Sequence, residues 1–251
     1  MQNIFINEKG DGFPLVLIHG FLGSSKMWKP QINFFKDYFH VISLDLPGFG
    51  MSNKAITHNS IESFAETVFE CLKEKKIYKF HLMGHSMGGM IAQEMALNRS
   101  NLIDKLICHS TGPLGEMPGR FETIEESRKN LKKNGLEKTI KNIAKTWFVL
   151  EDKAEYFDLC VESGRLSTAE AADSSLLAMK KWNSSDDLSL IKNKTLIVWG
   201  DKDKSYSLNQ VKILKQKIPN STLTIFEGCA HNIHLEQVKN FNTKILNFLK
   251  S

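Results

Sequence analysis

A serine flanked by glycines is the residue in this chain best suited to act as a nucleophile. Ser86 lies in Gly84-His85-Ser86-Met87-Gly88, after an apolar run that predicts a strand and before one that predicts a helix. At so sharp a turn the serine backbone is strained, and glycines are needed because strand and helix pass too closely for a Cβ. The pattern favours a reactive serine held above a sheet over an ordinary glycine-rich turn.

A serine hydroxyl needs a base, which is most often a histidine. His231 lies in a loop after a predicted strand, and His234 follows three residues later. We favour His231 because its loop belongs to the carboxyl edge of the sheet, where open α/β folds place their sites. His234 is the alternative, and we expect it behind the base or at the pocket rim.

The histidine in turn needs an acid, which is expected between the serine and the histidine in chain order. Asp201 and Asp203 both follow the apolar run TLIVWG. Asp203 is further into the loop and can reach the histidine, whereas Asp201 is expected to hold the turn or to stay solvated. The preferred set is therefore Ser86, His231 and Asp203, with Asp201 as the alternative acid.

Negative charge that develops on an attacked carbonyl oxygen requires hydrogen-bond donors. The segment HGFLG at 19–23 follows the first predicted buried strand, and its glycines allow the backbone to bend toward Ser86. The backbone amides of Phe21 and Met87 are the expected pair of donors.

Three other polar residues beside these motifs are expected to hold structure. His19 begins the HGFLG segment, His85 precedes the serine, and Asp45 begins a turn that reads DLPGFG. His85 has a second reading as a pocket-lining residue. Asp45 is disfavoured as an acid because it precedes the serine in the chain.

Short apolar runs that alternate with helical periodicity predict the elements that position these residues. The predicted strands are at 14–20, 40–48, 79–84, 105–110, 195–201 and 221–228. The predicted helices between and after them are at 27–38, 61–75, 87–97, 207–217 and 236–250. This alternation predicts an α/β fold with a doubly wound, mostly parallel sheet.

The alternation stops at 112–193, where four helical stretches are predicted at about 121–134, 136–149, 152–165 and 168–182. We therefore expect a core domain of residues 1–111 and 194–251, with 112–193 inserted as a helical cap. Trp147, Phe148 and Trp182 of this insertion, together with His85, are expected to line an apolar substrate pocket.

Composition limits the class of protein. The net charge is +5, with 41% hydrophobic and 24% charged residues, which is ordinary for a globular chain. The basic residues are scattered, which argues against a nucleic-acid partner, and no apolar run is long enough to span a membrane. Four separated cysteines without a CxxC pair indicate free thiols in a reducing, cytoplasmic compartment. No metal or cofactor is predicted, and the sequence does not predict an oligomeric state.

Together these motifs resemble the α/β-hydrolase superfamily. The matching segments are HGF at 19–21, DLPGFGMS at 45–52, the elbow at 84–88, GDKD at 200–203 and GCAH at 228–231. The resemblance covers 1–111 and 194–251, and it implies the roles given above for the triad and the oxyanion amides. One departure is visible, because the usual pair of N-terminal strands is reduced to one, around residues Gln2 to Asn7.

The resemblance implies a serine hydrolase that cleaves a small carboxylic ester, thioester or lactone through an acyl-enzyme. Branches that carry aspartate at the elbow, such as dehalogenases and epoxide hydrolases, are disfavoured by Ser86. One alternative is hydrolysis of a C–C bond in a dienone or β-diketone, or of an enol-lactone, with Arg120, Arg128 or Arg165 holding a carboxylate. These arginines have a plainer reading as solvated helix faces. A non-catalytic ligand receptor is the remaining alternative.

Overall fold

The computed structural model describes residues 3–116 and 118–251. Its strands are β1 (Ile6–Lys9), β2 (Pro14–Ile18), β3 (His40–Leu44), β4 (Phe80–His85), β5 (Ile103–His109), β6 (Lys194–Gly200) and β7 (Ser221–Phe226). They form one sheet in the order β1-β3-β2-β4-β5-β6-β7. Strand β1 pairs antiparallel with β3, and the remaining described pairs are parallel. The predicted α/β fold with a mostly parallel sheet is confirmed.

The helices are α1 (Lys29–Phe35), α2 (Ile61–Glu74), α3 (Met87–Arg99), α4 (Ile124–Thr146), α5 (Phe157–Arg165), α6 (Ala169–Lys181), α7 (Leu208–Lys217), α8 (Ile233–Glu236) and α9 (Val238–Lys250). Alternate strand residues enter different cores. Val16 and Ile42 pack in the cluster that contains α2, α3 and α7. Leu15 and Val41 pack in the cluster that contains α1 and α9. The central strands are buried on both faces, which explains why they read as continuous apolar runs.

The N-terminal strand lies later in the chain than the sequence predicted. We expected it around residues Gln2 to Asn7, and β1 begins only at Ile6. Gln2 itself lies outside the described residues. The antiparallel pairing of β1 places it at the sheet edge, away from the loops that follow β4, β6 and β7.

The segment between β5 and β6 contains helices α4 to α6 and a single isolated bridge among its described residues. Helix α4 is interrupted at Gly135, whose φ of 76° and ψ of 169° are not helical, so it forms two helical parts close to those predicted. Its first part begins later than predicted, at a capping box in which Thr123 and Glu126 bond each other's backbone. The helix predicted from 152 begins only at Phe157, because Ala154 is extended.

Hydrogen bonds attach this inserted segment to the loop that follows β7. The amide of Asn232 donates to the carbonyl of Trp147 at 3.0 Å. The Glu236 carboxylate accepts from two amides, that of Val149 at 2.7 Å and that of Ala230 at 2.6 Å. One side chain thus joins the end of α4 to the loop that carries His231. None of the helices in the described ranges has the length and apolar character needed to cross a membrane.

Candidate active site

Ser86 has the strained backbone that its sequence context predicts. Its φ of 56° and ψ of −118° place it between the end of β4 and the first turn of α3. The elbow is held from the neighbouring strand, since the Ser86 amide donates to the carbonyl of His109 at 2.9 Å and Thr111 Oγ1 donates to the Ser86 carbonyl at 2.8 Å. The serine is therefore fixed at the carboxyl edge of the sheet.

The glycines of the elbow are required by close backbone approach. A Cβ on Gly84 would lie 2.0 Å from the carbonyl oxygen of Gly88, and a Cβ on Gly88 would lie 2.3 Å from that of Ile18. Gly20 is tight as well, because its Cβ would meet the Ser86 Cβ at 2.9 Å. The spacing of these glycines in the sequence thus has the physical cause that we expected.

Asp203 and His231 form a buried pair. Asp203 Oδ2 lies 2.9 Å from His231 Nδ1, and the two side chains are 0% and 2% exposed. The other carboxylate oxygen, Oδ1, accepts from the amides of Ser205 at 2.7 Å and Tyr206 at 3.2 Å. Asp203 is thus oriented by its own loop, and it holds Nδ1 of the His231 ring.

Asp201, the alternative acid, does not contact His231 in the described structure. Its Oδ1 accepts from the amide of Gly228 at 2.7 Å, and its other oxygen pairs with Lys202 at 3.1 Å. The hydrogen bond from Gly228 ties the loop after β6 to the loop after β7. Asp201 therefore holds the turn, which is one of the two roles expected for it from the sequence.

His231 borders the same cavity as Ser86, whereas His234 does not. No hydrogen bond joins the Ser86 hydroxyl to His231 within the described residues, and such contacts are often long before a substrate binds. His234 is fully buried, with its Nδ1 2.9 Å from Nε2 of His109. His234 lies behind the cavity wall. Of its two expected positions, behind His231 or at the pocket rim, the structure therefore has the first.

Two backbone amides beside Ser86 are free to bind an oxyanion. Within the described part of the chain, neither the amide of Phe21 nor that of Met87 donates a hydrogen bond. The Met87 amide belongs to the first turn of α3, where amides have no partner inside the helix. Phe21 lines the cavity together with Gly20 and Ser86. These are the two donors that the sequence predicted, and their role in a reaction stays a prediction.

His19 and Asp45 hold loops, as expected. His19 Nδ1 donates to the carbonyl of Gly20 at 2.8 Å, and its Nε2 accepts from the amide of Leu46 at 2.9 Å. Asp45 accepts from the amides of Ser25 at 2.6 Å and Met51 at 2.7 Å. Burial lowers the pKa of His19, which keeps its ring neutral and preserves this pattern of one donor and one acceptor.

A cluster of buried histidines lies behind the base. The rings of His85, His109 and His234 have their centroids 4.6 to 5.0 Å apart, and His85 lies 4.7 Å from His231. Burial lowers the pKa of all three, that of His234 to about 3. Their nitrogens are close enough to be considered as metal ligands, but His109 Nε2 and His234 Nδ1 bond each other. His85 Nε2 donates to the carbonyl of His231, so the cluster supports the position of His231.

The cavity above Ser86 is partly open to solvent and narrow, because only about 20 Å³ of it can hold the centre of a water molecule. Its lining residues are Gly20, Phe21, Met27, His85, Ser86, Arg120, Phe121, Ile143, Trp147, Met179, Ser205, Tyr206 and His231. The inserted helices therefore form one wall, and the loops at the sheet edge form the other.

Of the four residues expected to line the pocket, His85 and Trp147 do so, and Phe148 and Trp182 do not. Phe148 borders a different cavity, beside Tyr156 and Leu235. Trp182 is buried against α3, where its Nε1 donates to Glu94 at 3.1 Å. Residues 147 and 148 are neighbours at the end of α4, so their side chains point in different directions and only one reaches the cavity.

Several cavity residues were not singled out from the sequence, namely Met27, Ile143, Met179, Ser205 and Tyr206. Tyr206 is the most informative of them, because it follows Asp203 by three residues in the same loop. Its place in the loop at the carboxyl edge of β6 is the signal that would have found it. The inserted residues carried no such signal, since helical periodicity does not show which face meets the cavity.

Comparison with known proteins agrees with this arrangement. A family model described as "alpha/beta hydrolase fold" matches residues 14–238. Pimeloyl-[acyl-carrier protein] methyl ester esterase of Legionella pneumophila is 29% identical over 99% of this chain and all of its own length. (E)-2-((N-methylformamido)methylene)succinate hydrolase of Acinetobacter baylyi is 25% identical over 97% of this chain and 93% of its own. The structure of an enol-lactonase from Burkholderia xenovorans has a TM-score of 0.90 at 20% identity, over 99% of this chain and 96% of that one, which shows likeness of fold.

Proposed function

Because the chain belongs to the alpha/beta hydrolase fold family, we propose that it is a serine hydrolase that cleaves a small carboxylic ester, thioester or lactone. The observation that carries the proposal is the buried contact of 2.9 Å between Asp203 and His231, at a cavity that Ser86 also lines. Similarity over nearly the full length to a methyl ester esterase supports an ester as the substrate.

The proposed reaction has two halves. Ser86 Oγ attacks the carbonyl carbon while His231 Nε2 takes its proton, and the amides of Phe21 and Met87 bind the oxyanion. His231 then gives the proton to the leaving group as the acyl-enzyme forms. Water, deprotonated by His231, attacks the acyl-enzyme, and the proton returns to Ser86 as the acid leaves. Throughout, Asp203 holds Nδ1–H of the ring and stabilises its charged form.

Residues 112–193 act in this proposal as a cap over a core of residues 1–111 and 194–251. Support comes from the cavity, whose inner wall belongs to the sheet edge and whose outer wall includes Arg120, Phe121, Ile143, Trp147 and Met179. Since so little of the cavity admits water, the cap moves when a substrate enters. The partner in this proposal is a small acyl compound, and the cytoplasmic location stays a prediction from the free cysteines.

A second candidate is hydrolysis of a C–C bond in a dienone or β-diketone, or of an enol-lactone. It uses the same Ser86, His231 and Asp203, and Arg120 in the cavity wall favours it where the substrate carries a carboxylate. Measured kcat/KM values for an ester, a lactone and a dienone separate the two candidates. We expect the ester or lactone to have the highest value, and a preference for the dienone would replace the first proposal by the second.

Reaction with a fluorophosphonate tests the proposal most directly. We expect mass spectrometry to find one adduct, on Ser86, in the folded protein and none in heat-denatured protein. Ser86→Ala should abolish the adduct and lower kcat for an activated ester by at least about 10³-fold. Ser189→Ala, which changes an exposed serine, is the matched control and should leave both unchanged. A folded protein without an adduct would instead support a ligand receptor with this fold.

A further inference from the structure

Three arginines of the inserted segment have different surroundings. Arg128 donates to both carboxylate oxygens of Asp173, at 2.8 and 3.0 Å, and Arg165 binds the Glu137 carboxylate at 2.6 to 3.1 Å. Arg120 has no carboxylate within 4.0 Å among the residues that the structure describes. Of the three, Arg120 is thus the one without a direct ion pair in the described structure, and the Glu122 carboxylate acts on its charge only from a greater distance.

The surroundings of Arg120 leave part of its guanidinium available. Its Nη1 donates to the carbonyl of Glu122 at 2.6 Å and to Ser127 Oγ at 2.8 Å. The nearby Glu122 carboxylate is occupied by Ser127 Oγ at 2.6 Å and Asn130 Nδ2 at 2.8 Å. Nε and Nη2 of Arg120 donate to no group within the described ranges. These two nitrogens form one side of the planar fork that binds carboxylates in a bidentate manner.

Arg120 is held against the catalytic loops. Its Cζ lies 4.2 Å from the centre of the Phe121 ring, and the Phe121 amide donates to the carbonyl of Lys204 at 2.9 Å. Lys204 follows Asp203, so this contact fixes the arginine segment to the loop that carries the acid. Arg120 is partly buried and borders the cavity that contains Ser86. A charge in such a position is unfavourable unless an anion accompanies it.

Tyr206 provides a second polar group in the same cavity. It is 1% exposed, and its ring stacks on that of His231 at 5.8 Å. Burial raises the pKa of Tyr206, and the Ser86 and Thr111 hydroxyls and the Arg120 charge oppose this effect, so the phenol is a neutral group close to all three. Its hydroxyl makes no hydrogen bond of full geometry among the described residues, so it can turn toward a ligand atom in the cavity.

We propose that the substrate carries a free carboxylate in addition to the group that is cleaved, and that Arg120 and Tyr206 bind this carboxylate. The inference rests on the proposed hydrolase function and adds the substrate class. Arg120 and Tyr206 border the same cavity as Ser86, so a carboxylate held by them and the scissile carbonyl belong to one small molecule. A half-ester or half-thioester of a short dicarboxylic acid has this chemistry.

The test uses two esters that differ only in charge, mono(4-nitrophenyl) adipate and the 4-nitrophenyl ester of adipic acid monoamide. The wild-type protein should have a kcat/KM at least about 10-fold higher for the acid than for the amide. Arg120→Gln should lower kcat/KM for the acid by about 100-fold, mainly through KM, and change it for the amide by less than about 3-fold. Tyr206→Phe, which keeps the ring on His231, should lower kcat/KM for the acid about 5-fold more than kcat/KM for the amide. Arg120→Lys should recover part of the kcat/KM for the acid that Arg120→Gln loses.

Arg165→Gln is the matched control, because this arginine is paired with Glu137 at the surface, and it should keep the preference for the acid. Competition gives a second measurement that needs no variant, since free adipate should inhibit the wild-type protein at lower concentration than adipamide. The inference is wrong if the wild-type protein does not prefer the acid, or if Arg120→Gln lowers both esters equally. Fluorophosphonate labelling of Ser86 in each variant shows whether the hydrolase function itself has failed.

Discussion

The loops at the carboxyl edge of the sheet are buried and joined by backbone hydrogen bonds, whereas the inserted helices are joined to one another partly by ion pairs at the surface. Ser86 is 9% exposed, the side chains of Asp203 and His231 are 0% and 2% exposed, and each residue is held by a neighbouring strand or loop. In the insertion, Arg165 binds Glu137 and Lys145 binds Asp152, with all four side chains more than 40% exposed.

Under the proposed function, this difference assigns the reaction to the sheet edge and the choice of substrate to the insertion. Exposed ion pairs contribute little to stability, so the surface residues of the insertion can change without loss of the fold, although its apolar residues pack in the main core. The sheet edge cannot change in this way, because its glycines, strained serine and buried acid each depend on close contacts. We therefore expect substitutions at the sheet edge to remove activity and substitutions in the insertion to alter specificity.

The largest difference is expected between two aspartates in one loop. Asp203→Asn should lower kcat by about 10⁴-fold, because an amide does not stabilise the charged ring of His231 and favours the wrong tautomer. Asp201→Asn, its matched control, keeps an oxygen for the Gly228 amide and should change kcat by less than about 5-fold. Steady-state kinetics on an activated ester measure both. Equal losses in the two variants would show that the contact between Asp203 and His231 is not what matters.

The next largest difference is expected between substitutions of two glycines, in their effect on the free energy of unfolding. Gly84→Ala places a Cβ 2.0 Å from the Gly88 carbonyl oxygen, and it should lower the free energy of unfolding by about 3 kcal/mol or more. Gly135→Ala meets no atom within 4 Å and adds only the backbone strain of a region that glycine alone adopts readily, about 1–3 kcal/mol. Urea unfolding measures both, and fluorophosphonate labelling reports on Ser86. Ser86 of the Gly135→Ala variant should be labelled as in the wild-type protein. A loss of this labelling would show that a change in the insertion disturbs the sheet edge, against the comparison made above.

The smallest effect concerns pH. The pKa of His234, lowered by burial to about 3, lies below that of an unfolded chain, so the unfolded state binds the proton more readily. Stability should therefore fall as the pH drops below about 6.5, by about 2 kcal/mol at pH 5 for His234 alone. In the insertion, the Arg165 guanidinium lowers the pKa of Glu137 to about 2. The stabilisation that this pair gives the folded state is therefore complete above about pH 4.5 and is lost only at lower pH.

Urea unfolding at pH 7.5, 6.0 and 5.0 tests this separation into two pH ranges. His234→Gln should have a smaller decrease in the free energy of unfolding over this range than the wild-type protein, whatever its stability at pH 7.5. Arg165→Gln should have the same decrease as the wild-type protein. If the free energy of unfolding of His234→Gln decreases between pH 7.5 and 5.0 as much as that of the wild-type protein, protonation of His234 does not cause the decrease.

Much of the fold could be predicted because local patterns determine it. The strand at 14–18 and the helix at 61–74 lie within two residues of the predicted bounds, since apolar periodicity and the Ser60 cap act over a few residues. Strand β1 was predicted too early, because an edge strand with a half-buried pattern has weak periodicity. The start of α5 at Phe157 was also missed, since the extended Ala154 has no sequence signal.

Of the candidate site, too, one part could be predicted from the sequence and another could not. The elbow, the acid loop and the histidine loop each follow a strand, so their meeting at one edge of the sheet was predictable from chain order. The cavity wall from the insertion was not, because packing between distant residues decides which of Trp147 and Phe148 faces Ser86. For the same reason, only the structure separates Arg120 from Arg128 and Arg165.

The carboxylate of Glu236 has a consequence for protein engineering. It bonds the amide of Val149 at the end of α4 and the amide of Ala230 beside His231, and burial raises its pKa. If residues 112–193 were replaced by the corresponding segment of a relative, the new segment would therefore have to fit the Glu236 carboxylate and the loop of His231, which are adapted to the present position of Val149. Chimaeras that exchange residues 229–237 together with this segment should retain turnover more often than those that exchange the segment alone.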